Sequence, residues 1–181
     1  LPLDVPAIGA DWYTGNLHKW AMAPRGCGVL WAAPGRQADL HPSVISWGYD
    51  LGIAAEFDWP GTRDPSSFLA APEGLAFLRD LGLDAVRAHN HALALDAARF
   101  LADRWSVPAP VDESLVGCMV TLPMPERFGT DAGAVQKLKD ALLYDDGIEV
   151  QMHARNGRGW VRLSAQVYVE RGDVERLARA M

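Results

Sequence analysis

The 181-residue sequence lacks the features that mark several large classes of protein. Its two cysteines are too few for a disulfide framework, and neither lies in a Cys-x-x-Cys or Cys/His pattern spaced for a metal. Blocks of lysine or arginine are absent and the formal net charge is -6, which argues against nucleic acid because phosphate binding depends on clustered positive charge. We therefore predict no metal and no nucleic-acid partner.

Long apolar runs are absent as well. None approaches the roughly 20 residues that a membrane-spanning helix requires. The first residues, LPLDVPAIGADW, lack the basic-then-apolar order of a signal peptide. We therefore expect a cytoplasmic protein with no membrane partner, and because it begins with Leu1 we expect the chain to be a piece of a longer polypeptide.

The residues that are present have the balance of a globular protein, with 49% hydrophobic and 22% charged side chains. Short apolar stretches bounded by turn residues predict three strands, at residues 10–16, 26–32 and 43–49. The segment FDWPGTRDP, residues 57–65, has the composition of a loop. Helical spacing of apolar residues then predicts two helices, one from an N-cap at Ser66 to Leu81 and one over residues 83–105.

The remainder of the chain predicts a small α+β unit. Pro108 and Pro110 end the second helix and mark a linker. Asn156-Gly157 is a strong hairpin signal between two apolar stretches. The pattern predicts a strand at residues 114–123 and the two strands of the hairpin at residues 148–154 and 160–168. It also predicts helices at residues 131–146 and 173–181.

A single lysine in the segment NLHKW, Lys19, is the strongest candidate for chemistry. The alternative interpretation is an exposed, non-functional lysine whose aliphatic side-chain carbons cover Trp20. Its neighbours are mostly apolar, however, and a partly desolvated lysine is more often the free amine that attacks a carbonyl. Asn16 and His18 offer polar groups suited to an anion such as a phosphate. Together they suit a cofactor that carries an aldehyde and a phosphate.

The stretch ADWYTGNLHKW followed by APRGCGVLW resembles the cofactor-lysine segment of the class V aminotransferase family of pyridoxal-phosphate enzymes, in particular its isopenicillin N epimerase-like members. The resemblance implies that Lys19 forms a Schiff base with pyridoxal 5'-phosphate. It also implies that Asn16 and His18 contact the cofactor phosphate. Desulfurases of the family usually have a serine where this chain has Asn16.

Two further segments are similar to the same family. WPGTRDPSSFLAAPEGLAFL resembles a Gly-Thr loop that reaches the partner's cofactor phosphate across a dimer, which implies that role for Gly61 and Thr62. WVRLSAQVYVERGDVERL resembles the family's closing signature, in which Arg162 would hold the substrate carboxylate. Without the family pattern, Gly61-Thr62 is a simple turn after Pro60 and Arg162 is a strand arginine paired with Glu149.

The resemblance implies an α/β fold, the C-terminal part of a fold-type I pyridoxal-phosphate-dependent transferase that acts as a homodimer with the site shared across the interface. Residues 1–65 would form the end of the large mixed-sheet domain, which carries the lysine. Residues 66–110 would be connecting helices, and residues 111–181 would form the small α+β C-terminal domain.

The reaction expected from the resemblance is removal and return of the proton at Cα of an amino acid, as in an epimerase. The alternatives are a class V aminotransferase, a C-S lyase, or a fragment without activity on its own. A desulfurase is disfavoured because the segment from Tyr144 to Trp160 contains no cysteine. Cys27 and Cys118 lie in predicted strands and are interpreted as core thiols.

Overall fold

The computed structural model describes residues 2–109 and 112–181, and the chain folds as two compact units, Leu1–Leu83 and Asp84–Met181. The predicted domain boundary at residue 65 stays a prediction. The predicted boundary at residues 110 and 111, like the helix-ending role of Pro110, lies outside the described residues. No described helix combines the length and apolar character needed to cross a bilayer.

The first unit is built on a two-stranded antiparallel sheet, β1–β2, in which Asn16 lies opposite Gly28. Two of the three strands predicted here are confirmed in slightly shorter form. The elements of this unit are α1 Val5–Ile8, β1 Trp12–Asn16, β2 Gly28–Ala32, α2 Ile53–Asp58 and α3 Ser66–Asp80, with a 3-10 helix at Pro34–Asp39.

The strand predicted at residues 43–49 is wrong, because this segment folds as successive turns. Its backbone hydrogen bonds are local, from Tyr49 N to the Ser46 carbonyl and from Leu51 N to the Gly48 carbonyl. Gly48 packs directly on α2, where an added Cβ would lie 2.0 Å from the Ala55 carbonyl oxygen. The large apolar residues of the segment, Val44, Ile45, Trp47 and Tyr49, are exposed, and Gly48 makes the contact with the helix.

The predicted loop at residues 57–65 and the predicted cap of the next helix need smaller corrections. The first two loop residues complete α2, and the loop begins at Trp59. Ser66 is the first helical residue of α3, and the cap position is occupied by Pro65. The carboxylate of Asp64 accepts hydrogen bonds from the Ser66 hydroxyl and the Ser66 backbone N–H, which lower the pKa of Asp64. An aspartate two residues upstream therefore performs the role expected of Ser66.

A buried acid on α2 is paired with a histidine from the preceding loop. Glu56 is 6% exposed, and its Oε2 lies 2.7 Å from Nδ1 of His41. Burial of a carboxylate is unfavourable unless it is hydrogen-bonded or ion-paired, and His41 supplies that partner. The hydrogen bond from His41 to Glu56, with the attraction of the negative charge, raises the pKa of His41.

The His41–Glu56 pair predicts a pH-dependent stability. The pKa of His41 is higher in the folded chain than in the unfolded chain. The contribution of the His41–Glu56 pair to the free energy of unfolding is therefore complete below about pH 6.5 and is lost as the pH rises through the pKa of His41 in the folded chain. Urea denaturation should show that His41→Gln destabilises the protein more at pH 5.5 than at pH 8.5. His89→Gln, on an exposed face of the chain's longest helix, is the control, and an equal effect of His41→Gln at both pH values would contradict the prediction.

The second unit is a three-stranded antiparallel sheet, in the order β3-β5-β4, with helices against it. The hairpin predicted at Asn156-Gly157 is confirmed, and both residues have positive φ, 53° and 67°, as its tight turn requires. The elements are α4 Leu83–Trp105, β3 Met119–Pro123, α5 Ala132–Tyr144, β4 Gln151–Arg155, β5 Arg158–Ser164 and α6 Arg171–Ala180, with 3-10 helices at Glu113–Leu115 and Glu126–Phe128.

Two expectations for this unit are corrected at the ends of elements. The strand predicted from residue 114 begins at Met119, because the Asp112 side chain accepts from Ser114 N and caps a 3-10 helix there. Asp131 is the N-cap of α5, since its carboxylate accepts from the backbone N–H groups of Gly133 and Ala134. These bonds lower the pKa of Asp131.

The core of the second unit is made by the buried sides of α4, α5 and α6 and by alternate residues of the three strands. Arg162 and its neighbours at alternate positions point to the opposite face of the sheet. The most completely buried large side chains of this core are Leu101, Leu122, Met124, Leu142 and Val161.

Truncation of Leu122 tests the core. Leu122 is 0% exposed, so Leu122→Ala should lower the free energy of unfolding by about 2–5 kcal/mol through lost burial and a residual cavity. Leu115→Ala is the matched control, because Leu115 is 83% exposed and its removal should change stability little. Urea denaturation of both variants measures the difference, and similar losses would show that Leu122 does not belong to a packed core.

Candidate functional site

Lys19 lies in the turn between β1 and β2, defined here as the lysine turn, residues 17–27. The carbonyl oxygen of Cys27 connects the two ends of this turn. It accepts from the backbone N–H groups of Leu17 at 3.1 Å and His18 at 3.3 Å, and Nδ1 of His18 lies 2.9 Å away. The carbonyl therefore sets both the entry of the turn and the orientation of the His18 ring.

The Cys27 contact determines what His18 can offer to a ligand. A carbonyl oxygen only accepts, so Nδ1 of His18 carries the hydrogen, and Nε2 is the nitrogen left for other contacts. Neutral His18 therefore presents an acceptor at Nε2, and it donates to an anion from Nε2 only as the imidazolium. This refines the expectation that His18 is a phosphate donor.

The lysine turn rests on α3. Ala23 and Cys27 form a small buried cluster with Ala71 of the helix, and the Ser67 hydroxyl donates to the Arg25 carbonyl at 2.6 Å. At Gly74 an added Cβ would lie 2.6 Å from the Ala21 carbonyl oxygen, so the helix and the turn touch backbone to backbone. The position of the turn is thus set by a helix some fifty residues further along the chain.

The two cysteines differ in their surroundings. Cys27 is 2% exposed and packs in the cluster under the lysine turn, which confirms its interpretation as a core thiol, although it lies just before β2 and not within a strand as predicted. Cys118 is only partly buried and lies in a bend just before β3, so its predicted place within a strand is wrong. A 3-10 helix at Glu113–Leu115 precedes β3, and the strand starts one residue after Cys118.

Lys19 itself is exposed, and its neighbour Asn16 at the end of β1 is exposed too. Within residues 2–109 and 112–181 this exposure agrees with the alternative of a surface lysine, and the partly desolvated amine stays a prediction. The turn presents the amine outward, with Met22 in a left-handed conformation at φ 59° and its N–H bonded to the Lys19 carbonyl. Within the described residues, no carboxylate pairs with Lys19.

Gly61 and Thr62 lie in the bend between α2 and α3, in the same unit as Lys19. Thr62 is exposed, and its hydroxyl makes no hydrogen bond to the described part of the chain. The bend agrees with both interpretations of these residues, the simple turn and the loop directed at a partner's phosphate. Their role stays a prediction.

The donor set of the first unit fits an aldehyde-phosphate cofactor chemically. The Lys19 side chain is a primary amine, which reacts with an aldehyde, and it is accessible. Asn16 carries two amide N–H donors, and His18 adds a donor at Nε2 in its charged form. These three residues are the ones of this unit that would hold pyridoxal phosphate.

Arg162 lies on β5 in the second unit, opposite Thr121 of β3 and Gln151 of β4. It is exposed, and within the part of the chain that the structure describes it makes no ion pair, so the alternative pairing with Glu149 is not seen. Arg162 also lines a pocket of about 330 Å³ bounded by α4, α6 and the segment before β4. Its guanidinium is therefore available for a carboxylate.

The predicted absence of a metal site can be compared with the described residues alone. Over residues 2–109 and 112–181, no three histidine, cysteine or acidic side chains come together as a metal site would require.

Five of the six predicted site residues lie in the first unit, and Arg162 lies in the second.

The order of strand, lysine turn, bend and closing arginine strand is that of one protein family. Residues 1–177 match the family model of aminotransferase class V, and the chain belongs to that family. The family uses pyridoxal phosphate, so the resemblance stated from the lysine segment and the cofactor expected from it are both confirmed at the level of the family.

Two kinds of curated relative illustrate the range of the family. The chain is 35% identical to isopenicillin N epimerase of Streptomyces clavuligerus over 199 residues, covering 100% of this chain and 49% of that protein. It is 31% identical to putative L-cysteine desulfhydrase 1 of Oryza sativa subsp. japonica over 202 residues, covering 100% of this chain and 42% of that protein. The chain thus spans less than half the length of these relatives.

Solved structures confirm the predicted fold class. Alanine–glyoxylate aminotransferase from Nostoc sp. matches with a TM-score of 0.67 at 18% identity, over 99% of this chain and 49% of that one. A cysteine desulfurase from Escherichia coli matches with a TM-score of 0.67 at 17% identity, over 99% of this chain and 47% of that one. The chain has the mixed α/β fold of the fold-type I enzymes over about half of their length.

One residue that positions Lys19 was not singled out from the sequence. Gly74 lies inside α3 and is a point of contact with the lysine turn. A glycine inside a helical pattern is itself a signal of close backbone approach. The sequence does not say which segment approaches.

Gly74→Ala tests the contact between α3 and the lysine turn. Its Cβ would meet the Ala21 carbonyl oxygen at 2.6 Å and the Met22 carbonyl carbon at 2.8 Å, so we expect a loss of about 1–3 kcal/mol in the free energy of unfolding. Gly172→Ala in α6 is the matched control, since nothing lies within 4 Å of its Cβ. That control should gain about 0.5–1 kcal/mol from the better helix propensity of alanine. Urea denaturation distinguishes the two, and a gain at Gly74 would contradict the contact.

Proposed function

We propose that the protein is a pyridoxal-phosphate-dependent enzyme that acts at Cα of an amino acid, with isopenicillin N epimerase-like removal and return of the proton. The observation that carries the proposal is the exposed Lys19 on the lysine turn, which also bears His18 and directly follows Asn16 at the end of β1. The 35% identity to an isopenicillin N epimerase over the whole chain supports this choice of reaction.

Each site residue has a distinct task in this proposal. Lys19 would hold the cofactor through its amine and would also move the proton at Cα of the substrate. Asn16 and His18 bind the phosphate, and Arg162 binds the substrate carboxylate through its two parallel N–H groups. Bound pyridoxal phosphate supplies an electron sink that makes the Cα proton acidic. Gly61 and Thr62 would serve the partner's phosphate in a cytoplasmic homodimer.

A C-S lyase is the second candidate, because several of the relatives are named as L-cysteine desulfhydrases. The same lysine serves both reactions, since each begins with loss of the Cα proton. They differ in the next step, in which an epimerase returns the proton and a lyase expels the sulfur group of cysteine. A class V aminotransferase instead delivers the proton to the cofactor.

Covalent labelling tests the role of Lys19. The sequence contains three lysines, Lys19, Lys137 and Lys139, so a labelled site can be assigned without ambiguity. After incubation with pyridoxal phosphate and reduction with borohydride, mass spectrometry should find the adduct on Lys19. Lys19→Arg should abolish it, and the matched control Lys139→Arg should retain it. Equal labelling of all three lysines, or none in the full-length protein, would overturn the proposal.

The same preparation distinguishes the reactions. Exchange of the Cα proton for solvent deuterium without release of a keto acid is the result expected of an epimerase. Release of sulfide from L-cysteine would instead identify the lyase, and a stoichiometric keto acid would identify the aminotransferase.

A further inference from the structure

A buried pair of amides joins α4 to the end of β5. Asn90 is 2% exposed and Gln166 is 5% exposed, and they lie 76 positions apart in the sequence. Nδ2 of Asn90 donates to Oε1 of Gln166 at 2.9 Å. Both residues belong to the second unit, which also contains the main hydrophobic cluster. Their presence there requires a reason.

The orientation of both amides follows from the backbone. The N–H of Val167 donates to the same Oε1 of Gln166 at 2.9 Å. A backbone N–H is always a donor, so the atom that it meets is the amide oxygen, and the Asn90 atom facing that oxygen is the nitrogen. Oδ1 of Asn90 is then buried without a hydrogen-bond partner in the described residues.

An amide pair of this kind is a poor choice for stability alone. Replacing both partners of a buried hydrogen bond by apolar groups of similar shape is often nearly neutral, whereas an unsatisfied buried acceptor is unfavourable. Apolar groups, however, do not form directional contacts as a hydrogen bond does. The hydrogen bond between Asn90 and Gln166 fixes the position of one segment along the other, which packing of smooth side chains leaves free.

The segment held in this way is the continuation of the strand that carries Arg162. Gln166 follows Arg162 by four residues, and between them the N–H of Ala165 bonds to the Cys118 carbonyl at 2.8 Å. Ala165 and Val169 line the pocket beside Arg162 on one side, and Leu93 and Ala94, one turn beyond Asn90 on α4, line it on the other. The amide pair therefore ties together two walls of the Arg162 pocket.

We propose that Asn90 and Gln166 are positioning residues for Arg162, because they hold the segment that follows β5 against α4 and so fix the pocket in which Arg162 would receive a substrate carboxylate. The inference rests on the proposed function of Arg162. It predicts that loss of the amide pair impairs recognition of the carboxylate specifically, leaving the fold and the attachment of cofactor to Lys19 intact.

The experiment compares L-alanine with ethylamine, the matched amine without a carboxylate. Binding of each to the full-length, cofactor-loaded protein is followed by the change in visible absorbance, and the ratio of the two dissociation constants reports carboxylate recognition. Arg162→Ala sets the ratio expected when recognition is lost. In Asn90→Leu/Gln166→Met the preference for L-alanine should fall by about tenfold, the equivalent of one hydrogen bond's contribution.

Three variants separate positioning from stability. Gln166→Glu keeps an acceptor for both donors and should retain the preference for L-alanine. Asn90→Ala removes the tie to α4 but leaves the bond between Gln166 and Val167, and it should lose the preference as the double variant does. His89→Leu, at an exposed neighbour on α4, should change nothing.

A readout on the cofactor-free protein completes the test. Hydrogen exchange at the Val167 amide should accelerate in the double variant and remain slow in Gln166→Glu. Faster exchange with an unchanged L-alanine to ethylamine ratio would overturn the inference, because the pair would then only stabilise the fold. Absence of the Lys19 adduct in the unaltered protein would instead show failure of the proposed function.

Discussion

The carbonyl oxygen of Cys27 is the point on which the candidate site of the first unit depends. Three contacts converge on it, two from the backbone at the start of the lysine turn and one from the His18 ring. They close the turn, select the tautomer of His18 and leave Lys19 projecting outward. Because Cys27 is itself buried against α3, the orientation of a surface lysine is controlled from the interior of the unit.

In the second unit, too, a candidate site residue on the surface is supported by buried groups, here an apolar core and a pair of amides. Its apolar core fixes which face of the sheet each strand residue takes, and Arg162 lies on the face opposite Val161 because side chains alternate along β5. Alternation does not fix where the strand end lies along α4. The bond between Asn90 and Gln166 ties the segment after β5 to α4, while pairing with Thr121 and Gln151 places Arg162 in the sheet.

Local chemistry explains which predictions were confirmed. The Asn156-Gly157 hairpin and the long helix α4 follow from turn residues and periodicity within a few positions of each other, and both are present. The strand predicted at residues 43–49 failed because its apolar pattern does not distinguish a strand from a turn held against α2. The sequence around Lys19 likewise leaves its exposure open, since apolar neighbours in sequence are not necessarily neighbours in space.

The family, the cofactor that the family uses and the order of lysine, Gly-Thr bend and arginine could be predicted from the sequence, because short segments carry them and their residue types can be read in order. How those segments are supported depends on tertiary packing. The approach of Gly74 to the lysine turn and the pairing of Asn90 with Gln166 join residues more than fifty positions apart. Such contacts form only when the whole unit packs, and no local sequence pattern shows which distant backbone or amide group a given residue will contact.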